Sequence, residues 1–431
     1  MKRLYLFFVL FIPLVLNAQT LLTLRNAIDT ALKNNLDIQI VKNNVQIARE
    51  NNTYGMAGGL PYLNANFGDN VLSNNINQKI NTGSETNYSG ILGNTINAGI
   101  SANIILFNGF KVLATKKRLS YIQKQSEIEL NGQIQDIIAA IMIKYYNIIR
   151  QQSYLRIIQS VLDVSQKKLE IINKKNSVGM ANGADIMQAQ SDVNTAEQNL
   201  TIQKMNIYQE KADLQLLMNT KTNLTYIIND SIVIDNILLW DTIANSLKKN
   251  PQYLSAEQQV KISQQVLKET KAQLYPSLKL NTAYNYNRTD NNSGYTLLNQ
   301  NYGASAGLIL QIPIFNGMIY HTQKIVAGLN IRNSKLEQEK LYKTITNIAI
   351  KNYLSYTTII KQIESQQNNF ELSKKLVDLV MQNFQNGQAT ILELKAAQAS
   401  FENAAYQLVN YQYEAKTSEV LLKQLIYNLS Y

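Results

Sequence analysis

The residue types that perform most enzyme and metal chemistry are nearly absent from this chain of 431 residues. It contains no cysteine and a single histidine, His321. Thiol–imidazole catalysis and histidine-rich metal sites are therefore excluded. The acidic residues are not grouped at metal-ligand spacing, and no nucleophile–base set can be assembled. We expect no enzyme activity, cofactor or metal, and interpret His321 as a surface residue.

Tyrosine is abundant, with 25 residues, which could indicate ligand stacking. Tyr284, Tyr286 and Tyr302, however, lie in segments where apolar and polar residues alternate. Aromatic side chains form belts at the two membrane–water interfaces of transmembrane β-barrels. We therefore interpret these three tyrosines as part of such a belt.

The first eighteen residues predict export. Lys2 and Arg3 precede an apolar run that ends at Leu16, and Ala18 provides a small residue for cleavage. The run is shorter than the roughly 20 residues of a membrane-spanning helix, which disfavours a permanent anchor. We predict a signal peptide at 1–18 and a mature chain from Gln19.

The charge pattern does not favour nucleic acid as a partner. The formal net charge is +11, and removal of Lys2 and Arg3 lowers it by 2 to +9. The remaining basic residues are scattered along the chain and form no stripe, and an exported protein rarely meets nucleic acid. The mean hydropathy of −0.19 is also too low for a helical membrane protein.

The chain contains two copies of one unit. Short landmarks recur at an offset of 215 residues up to and including the proline landmark and at 208 from the Phe-Asn-Gly landmark onward, so one loop insertion or deletion between them explains both offsets. The landmarks are Leu60-Pro61-Tyr62-Leu63 with Tyr275-Pro276-Ser277-Leu278, Phe107-Asn108-Gly109 with Phe315-Asn316-Gly317, and Gly179 with Gly387. We assign the copies to 19–218 and 241–431, joined by a linker at 219–240.

Long helices are predicted where proline is absent, because an interior proline costs a helix about 3 kcal/mol. We predict helices at 111–176, 183–218, 318–384 and 388–429. The first would be about 100 Å long at 1.5 Å per residue, which indicates a coiled-coil or tunnel-like body. Apolar residues spaced seven apart support supercoiled packing; they are Ile186, Val193, Leu200, Ile207 and Leu214 in one copy and Leu394, Phe401, Leu408, Ala415 and Leu422 in the other.

Residues alternate with period two before each Phe-Asn-Gly landmark, which predicts strands at about 62–72, 90–106, 277–287 and 301–314. Each can supply the roughly 9–11 residues of a membrane β-strand. The Asn- and Ser-rich segments 71–88 and 288–301 are predicted loops. Four strands cannot span lipid with open edges. We therefore expect a barrel that closes between chains, with three chains giving twelve strands.

The layout resembles the TolC-like outer-membrane efflux proteins over essentially the whole mature chain. Four segments carry this resemblance: Leu22–Ile28, the Leu-Pro-x-Leu start of the first strand at Leu60–Leu63, the strand exit Leu106–Gly109, and the turn Ser177–Asn182. Asn386 and Asn182 depart from the valine and threonine usual in the family's turn, whereas Thr390 conforms.

The resemblance implies a mixed, mainly α fold located in the outer membrane and extending into the periplasm. Very long helices would form a periplasmic α-barrel, and four strands per chain would complete a 12-stranded barrel in a homotrimer. The linker would join an equatorial belt, and its Thr225–Ile228 and Ile232–Ile234 look strand-like. The implied partners are outer-membrane lipid, a periplasmic adaptor (membrane fusion) protein and an inner-membrane pump.

Two groups of site residues follow from the resemblance. The adaptor-docking tips comprise Val178, Gly179, Ala181, Gly387, Ala389 and Thr390, and the candidate entrance ring comprises Asp185, Phe384 and Glu393. The glycines would end helices and the acids would stabilise helix N-termini whatever docks there. Some relatives carry a second acidic ring, but that position is Ala396 here, beside Lys395, so no double acidic gate is expected.

We expect the exit duct of a tripartite efflux pump, which passes small molecules from the periplasm to the exterior by passive conduction. One alternative is the exit duct of type I protein secretion. An alternative of a different class is a non-conducting structural coiled-coil protein of the periplasm.

Overall fold

The structure is a computed structural model that describes residues 21–220, 226–235, 238–294 and 296–429. The predicted signal peptide lies outside these residues, as do 221–225 and 236–237 of the predicted linker. The described chain forms two compact units. The sheet unit comprises Val41–Asn131 and Pro251–Lys343, and the helical unit comprises the other described residues.

The elements occur in the same order in both copies of the repeat. They are α1 (Leu24–Asn34), α2 (Leu36–Asn51), β1 (Tyr62–Lys79), β2 (Glu85–Asn108), α3 (Lys111–Ser177), α4 (Gly183–Met218), α5 (Trp240–Ser246), α6 (Pro251–Ala272), β3 (Ser277–Asn291), β4 (Leu298–Gln311), α7 (Ile319–Gln385) and α8 (Ile391–Leu425). Within the described residues, no helix contains a stretch long and apolar enough to cross a membrane.

Local features of the sequence explain where the long helices begin and end. Both α3 and α7 have 67 residues, consistent with the absence of interior proline. The last helix was predicted at 388–429 but is shorter. It begins after Thr390, whose hydroxyl caps the first turn, and it ends before Tyr427, whose φ of 56° lies in the left-handed region.

The period-seven residues form the core between the helices of the helical unit. In α8 all five are buried, and in α4 three of the five are buried. This burial explains why the pattern repeats every seven residues, because two helices that wrap around each other keep the same seam in contact.

The strands form one antiparallel sheet in the order β1-β2-β3-β4. β1, β2 and β3 are longer than predicted, whereas β4, predicted at 301–314, lies three residues earlier, at Leu298–Gln311. The β1–β2 pairing continues to Lys79↔Glu85, so most of 71–88 is strand, and β3–β4 pairing reaches Asp290↔Leu298. The prediction failed here because ladder hydrogen bonds join main-chain groups, and polar side chains do not interrupt them.

The linker is irregular where the structure describes it, which corrects the strand-like interpretation. Its only described β pairing is a bridge between Leu21 and Ile227. Side chains of long helices hold it in place instead: Lys211 Nζ donates to the Tyr226 carbonyl at 2.7 Å and Gln152 Nε2 to the Ile228 carbonyl at 3.1 Å. Thr225 lies outside the described residues.

A charged cluster holds the other end of this linker. Glu419 and Lys416 are buried on α8, with Lys416 Nζ 3.1 Å from both Glu419 carboxylate oxygens. Lys423 Nζ lies 2.7 Å from Glu419 Oε1 and 2.5 Å from Asp235 Oδ2. The Asp235 backbone N–H also donates to Glu419 Oε2 at 3.1 Å. Glu419 is therefore the shared acceptor of two lysines and the linker backbone.

We predict that Glu419→Gln lowers the free energy of unfolding by about 3–5 kcal/mol, because it removes the closer carboxylate from the buried Lys416 ammonium and leaves only that of Asp235, at 3.9 Å. Chemical denaturation in detergent measures the loss. Glu339→Gln is the matched control: its pair with Lys343 is exposed, so the free energy of unfolding should hardly change. Equal losses in the two variants would contradict the role of burial.

The cluster also predicts a dependence on pH. A hydrogen bond from Lys423 lowers the pKa of Asp235 below its ordinary value of 3.8, despite the opposing effect of burial. A lowered carboxyl pKa in the folded state stabilises the fold above the unfolded pKa. This stabilisation is expected to vanish as the pH falls below about 4, and Asp235→Asn should reduce that acid sensitivity in the same denaturation experiment.

Candidate functional site

The sheet separates apolar and polar side chains onto opposite faces. The register aligns the even positions of β2, β3 and β4 with the odd positions of β1. Apart from Thr282, this face is apolar or aromatic from Leu278 to Tyr286 on β3 and at the positions aligned with that stretch: Leu63, Ala65, Phe67, Ala98, Ile100, Ala102, Ile104, Leu278, Leu280, Tyr284, Tyr286, Tyr302, Ala304, Ala306, Leu308 and Leu310.

The apolar face is exposed in the chain. Phe67, Tyr302 and Leu308 are among its exposed side chains. From Leu278 to Tyr286 it follows roughly 27 Å of strand at 3.4 Å per residue, close to the apolar band of about 25 Å on membrane barrels. Tyr286 and Tyr302 are paired at one margin, and Arg288 follows in the next row. A surface of this size with aromatic side chains at its margin is suited to lipid.

The opposite face is polar and nearly uncharged. It consists mainly of asparagine, glycine and serine: Asn64, Asn66, Asn97, Gly99, Ser101, Asn103, Asn281, Ala283, Asn285, Asn287, Asn301, Gly303, Ser305 and Gly307. Lys279, near the end of β3 closest to the helices, is the charged residue on this face of that strand. Amide and hydroxyl groups can hydrogen-bond water, so this face suits an aqueous passage.

Both outer strands of the sheet present unpaired edges. In the described chain, β1 pairs only with β2, and β4 pairs only with β3. Unpaired backbone N–H and C=O groups cost several kcal/mol each in lipid. A sheet with this apolar face and two open edges is therefore incomplete as a membrane element.

The predicted docking residues lie at the turns of two helical hairpins. Gly179 between α3 and α4 has φ 78°, and Gly387 between α7 and α8 has φ 77°. This left-handed conformation favours glycine and reverses the chain. Val178 is exposed, whereas Ala181 and Ala389 pack against a buried cluster below the turns that contains Ile172, Ala189, Phe384 and Leu394.

Phe384 was predicted to line an entrance, but the structure places its side chain in that buried cluster. The Lys175 ammonium lies 4.3 Å from the Phe384 ring centroid and donates to the Phe384 carbonyl at 2.5 Å. Aromatic bulk next to a coiled-coil seam is buried by packing. Phe384 therefore connects the two hairpins, and its place in an entrance ring stays a prediction.

Asp185 and Glu393 occupy equivalent positions in two capping boxes. Asn182 and Thr390 cap α4 and α8, and the carboxylate of each acid accepts a hydrogen bond from the backbone N–H of its cap residue. The bond from the Thr390 N–H, at 2.7 Å, together with that from its hydroxyl, lowers the pKa of Glu393. Both acids thus have a structural role, and the structure leaves their role in an entrance ring untested.

Sequence reasoning missed further residues around the tips. Met180, Met187 and Leu392 are exposed apolar side chains; their proximity to the turn glycines is the sequence signal that could have found them.

Sequence reasoning also missed Asp192, which pairs with the buried Lys168 and lies 3.1 Å from Lys395 Nζ. Burial raises the pKa of Asp192, but hydrogen bonds from these lysines outweigh it and lower that pKa overall.

Comparison with known proteins places these features in one family. The family described as Outer membrane efflux protein matches residues 27–220 and 242–426, the two copies of the repeat. Two proteins of Pseudomonas putida, the toluene efflux pump outer membrane protein TtgF and the probable efflux pump outer membrane protein SepC, are each 24% identical to the chain over 409 residues. Each match covers 93% of this chain and 82% of the relative.

Solved structures share the fold. The CmeC outer membrane channel of Campylobacter jejuni matches with a TM-score of 0.79 at 18% identity, covering 94% of this chain and 85% of that one. The outer-membrane channel OprN matches with a TM-score of 0.78 at 13% identity, covering 94% and 90%. With its duplicated helices and two-faced sheet, the chain belongs to the outer membrane efflux protein family.

Proposed function

We propose that this chain is the exit duct of a tripartite efflux pump and passes small molecules from the periplasm to the exterior by passive conduction. One observation carries the proposal: the sheet has an exposed apolar face suited to lipid and an amide-lined face suited to water. Conductance in planar lipid bilayers tests it, because only a duct gives discrete pores. Complete absence of conductance would favour the structural coiled-coil alternative.

The open sheet edges support assembly as a homotrimer. Three chains would supply twelve strands, and β4 of each chain would pair with β1 of the next. Closure would satisfy the backbone groups at both edges, which lipid itself cannot do.

Differences between the two copies indicate which helices would meet in the trimer. Ile128 on α3 is 9% exposed, but Leu336, its counterpart on α7, is 53% exposed. Ile262 on α6 is 8% exposed, but Ile47, its counterpart on α2, is 58% exposed. Within the chain, α3 contacts α6 through Arg118 and Glu269, at 2.7 Å. In the repeat, α7 corresponds to α3 and α2 corresponds to α6. We therefore expect α7 to pack on α2 of the next chain in the way that α3 packs on α6 within one chain.

We predict that Leu336→Asp reduces the trimer fraction at least tenfold, because a carboxylate would be buried without a partner. The mass of the protein–detergent complex measures it. Lys335→Asp is the control: Lys335 is an exposed neighbour on α7, and its larger charge change should leave the trimer intact. A trimeric Leu336→Asp protein, or equal loss in both variants, would contradict the proposed interface.

The hairpin tips are proposed to dock on a periplasmic adaptor protein that is coupled to an inner-membrane pump. The predicted residues Val178, Gly179, Ala181, Gly387, Ala389 and Thr390 form or flank the two turns. The exposed apolar side chains of Val178, Met180 and Leu392 support this proposal, since exposed apolar groups favour a protein partner.

We predict that Val178→Glu combined with Leu392→Glu abolishes adaptor crosslinking and drug efflux in cells, while conductance of the purified protein persists. Two charges on the docking surface would have to be desolvated on binding. Lys374→Glu combined with Lys375→Glu, at exposed positions on α7, provides the control. Normal efflux by the double tip variant would rule out docking through these residues.

The carboxylates of Asp185 and Glu393 are proposed to form an entrance ring that favours cations. Rings of acidic side chains produce cation selectivity in channels. Glu393→Gln with Asp185→Asn keeps hydrogen-bonding oxygens at the helix caps but removes the charges. The cation-over-anion permeability ratio of single channels should fall roughly twofold or more. An unchanged ratio would leave the two acids with their capping role alone.

A type I secretion duct remains the second candidate, because the same tunnel could pass an unfolded protein. The two differ in their inner-membrane partner. Restoration of drug resistance, without restored protein export, in cells that lack their own duct would favour efflux.

A further inference from the structure

A pocket lies in the sheet unit where α3 leaves the sheet and α6 approaches it. Its volume is about 520 Å³. Six of the residues that line it are Phe110, Leu113, Lys117, Lys268, Lys271 and Tyr275. The floor is closely packed: a Cβ on Gly109 would lie 2.5 Å from the Ala272 carbonyl oxygen. The two helix ends therefore hold the pocket walls in a fixed position.

The pocket continues the apolar face of the sheet. Phe107 pairs with Leu278, so its side chain shares the face that carries Leu280 and Leu308. The Phe110 ring, at the pocket wall, makes an edge-to-face contact with Phe107, with 5.3 Å between centroids. Phe110, Leu113 and Tyr275 are all exposed. A lipid molecule lying against the sheet would thus reach the pocket without crossing a polar surface.

The charge in this pocket is uncompensated. Lys117, Lys268 and Lys271 are exposed, and within the described part of the chain none of them forms an ion pair. The nearby Glu269 carboxylate is occupied by Arg118 at 2.7 Å. The Lys117 ammonium lies 5.4 Å from the Tyr121 ring centroid, so it is oriented towards the pocket wall. Three lysines without an ion-pair partner among the described residues therefore line one pocket.

The other copy of the repeat carries no charge at the positions equivalent to these lysines. The counterparts of Lys117, Lys268 and Lys271 in the other copy are Ile325, Thr53 and Met56. Ile325 lies on α7 as Lys117 lies on α3, whereas Thr53 and Met56 follow the end of α2 and Lys268 and Lys271 lie within α6. The positive charge is specific to this pocket, which indicates an anionic ligand.

We propose that the pocket binds the headgroup phosphate of an anionic glycerophospholipid in the leaflet nearest the helices. The three ammonium groups contact the phosphate, and the acyl chains lie along Phe110, Phe107 and the apolar face. Lysines beside a membrane attract anionic lipid, and tyrosines favour the same interfacial depth. The inference rests on the proposed membrane position of the sheet.

The test uses the full-length protein, purified in nonionic detergent and stripped of lipid. Binding of dioleoyl phosphatidylglycerol is titrated by native mass spectrometry, with dioleoyl phosphatidylcholine as the neutral comparison and inorganic phosphate as a competitor. The test variant is Lys117→Gln, Lys268→Gln and Lys271→Gln combined. The matched control removes three exposed lysines of the helical unit: Lys167→Gln, Lys204→Gln and Lys374→Gln.

We expect phosphatidylglycerol to bind the native protein at least tenfold more tightly than phosphatidylcholine, since each lysine near a membrane surface contributes up to roughly a factor of five. The pocket variant should lose this preference and the control should keep it. Equal affinity for the two lipids, or equal losses in both variants, overturns the proposal. Displacement of the lipid by millimolar phosphate assigns the site to a free anion and overturns it as well.

Bilayer conductance separates this inference from the proposed function. A pocket variant that conducts normally but has lost the lipid preference supports the lipid site. A native protein that conducts but shows no lipid preference refutes the site and leaves the duct intact. Absence of conductance in the native protein refutes the duct itself.

Discussion

The backbone groups at the two free edges of the sheet constrain everything else in this protein. Lipid offers them no hydrogen-bond partner, and the exposed apolar face makes lipid the natural surroundings of the sheet. The chain cannot close a barrel alone, because its four strands are too few. In the proposed trimer, neighbouring chains would supply the missing strands and would cover the exposed Ile47 of α2 and Leu336 of α7.

Duplication accounts for this arrangement, and divergence of the copies accounts for its asymmetry. In the sheet unit, α6 contacts α3 and α7, whereas Ile47 on α2 and Leu336 on α7 are exposed. The linker shows divergence most clearly. Lys211 on α4 and Glu419 on α8 occupy equivalent positions, yet carry opposite charges and bind opposite ends of the linker. A symmetrical ancestor would have had no single linker to hold.

Much of the fold could be predicted because it depends on local chemistry. Proline placement delimited the long helices, period-two alternation identified the strands, and glycine marked both hairpin turns. The positions of these turns also fixed the predicted docking residues. The lengths of the strands could not be predicted from the sequence, because main-chain pairing continues through the polar residues that precede Lys79.

Features that join distant segments were not predictable. Phe384 was predicted only as a candidate for the entrance ring, and its packing against Lys175 and the opposite hairpin was not predicted. In the sequence, Glu419 looks like a surface acid of a long helix. Its burial depends on contacts with the linker and two lysines. The lysine pocket likewise combines residues more than 140 positions apart in sequence. Such sites depend on which helices pack together, and a single sequence does not reveal that.

The central claim, that one face of the sheet contacts lipid and the other water, can be measured residue by residue along β3. The chain has no cysteine, so single cysteines introduced at positions 280–287 would react without background. In membranes, a water-soluble thiol reagent should label positions 281, 283, 285 and 287 and leave 280, 282, 284 and 286 unreacted. Equal labelling of the two sets, or labelling of the even positions alone, would contradict the account.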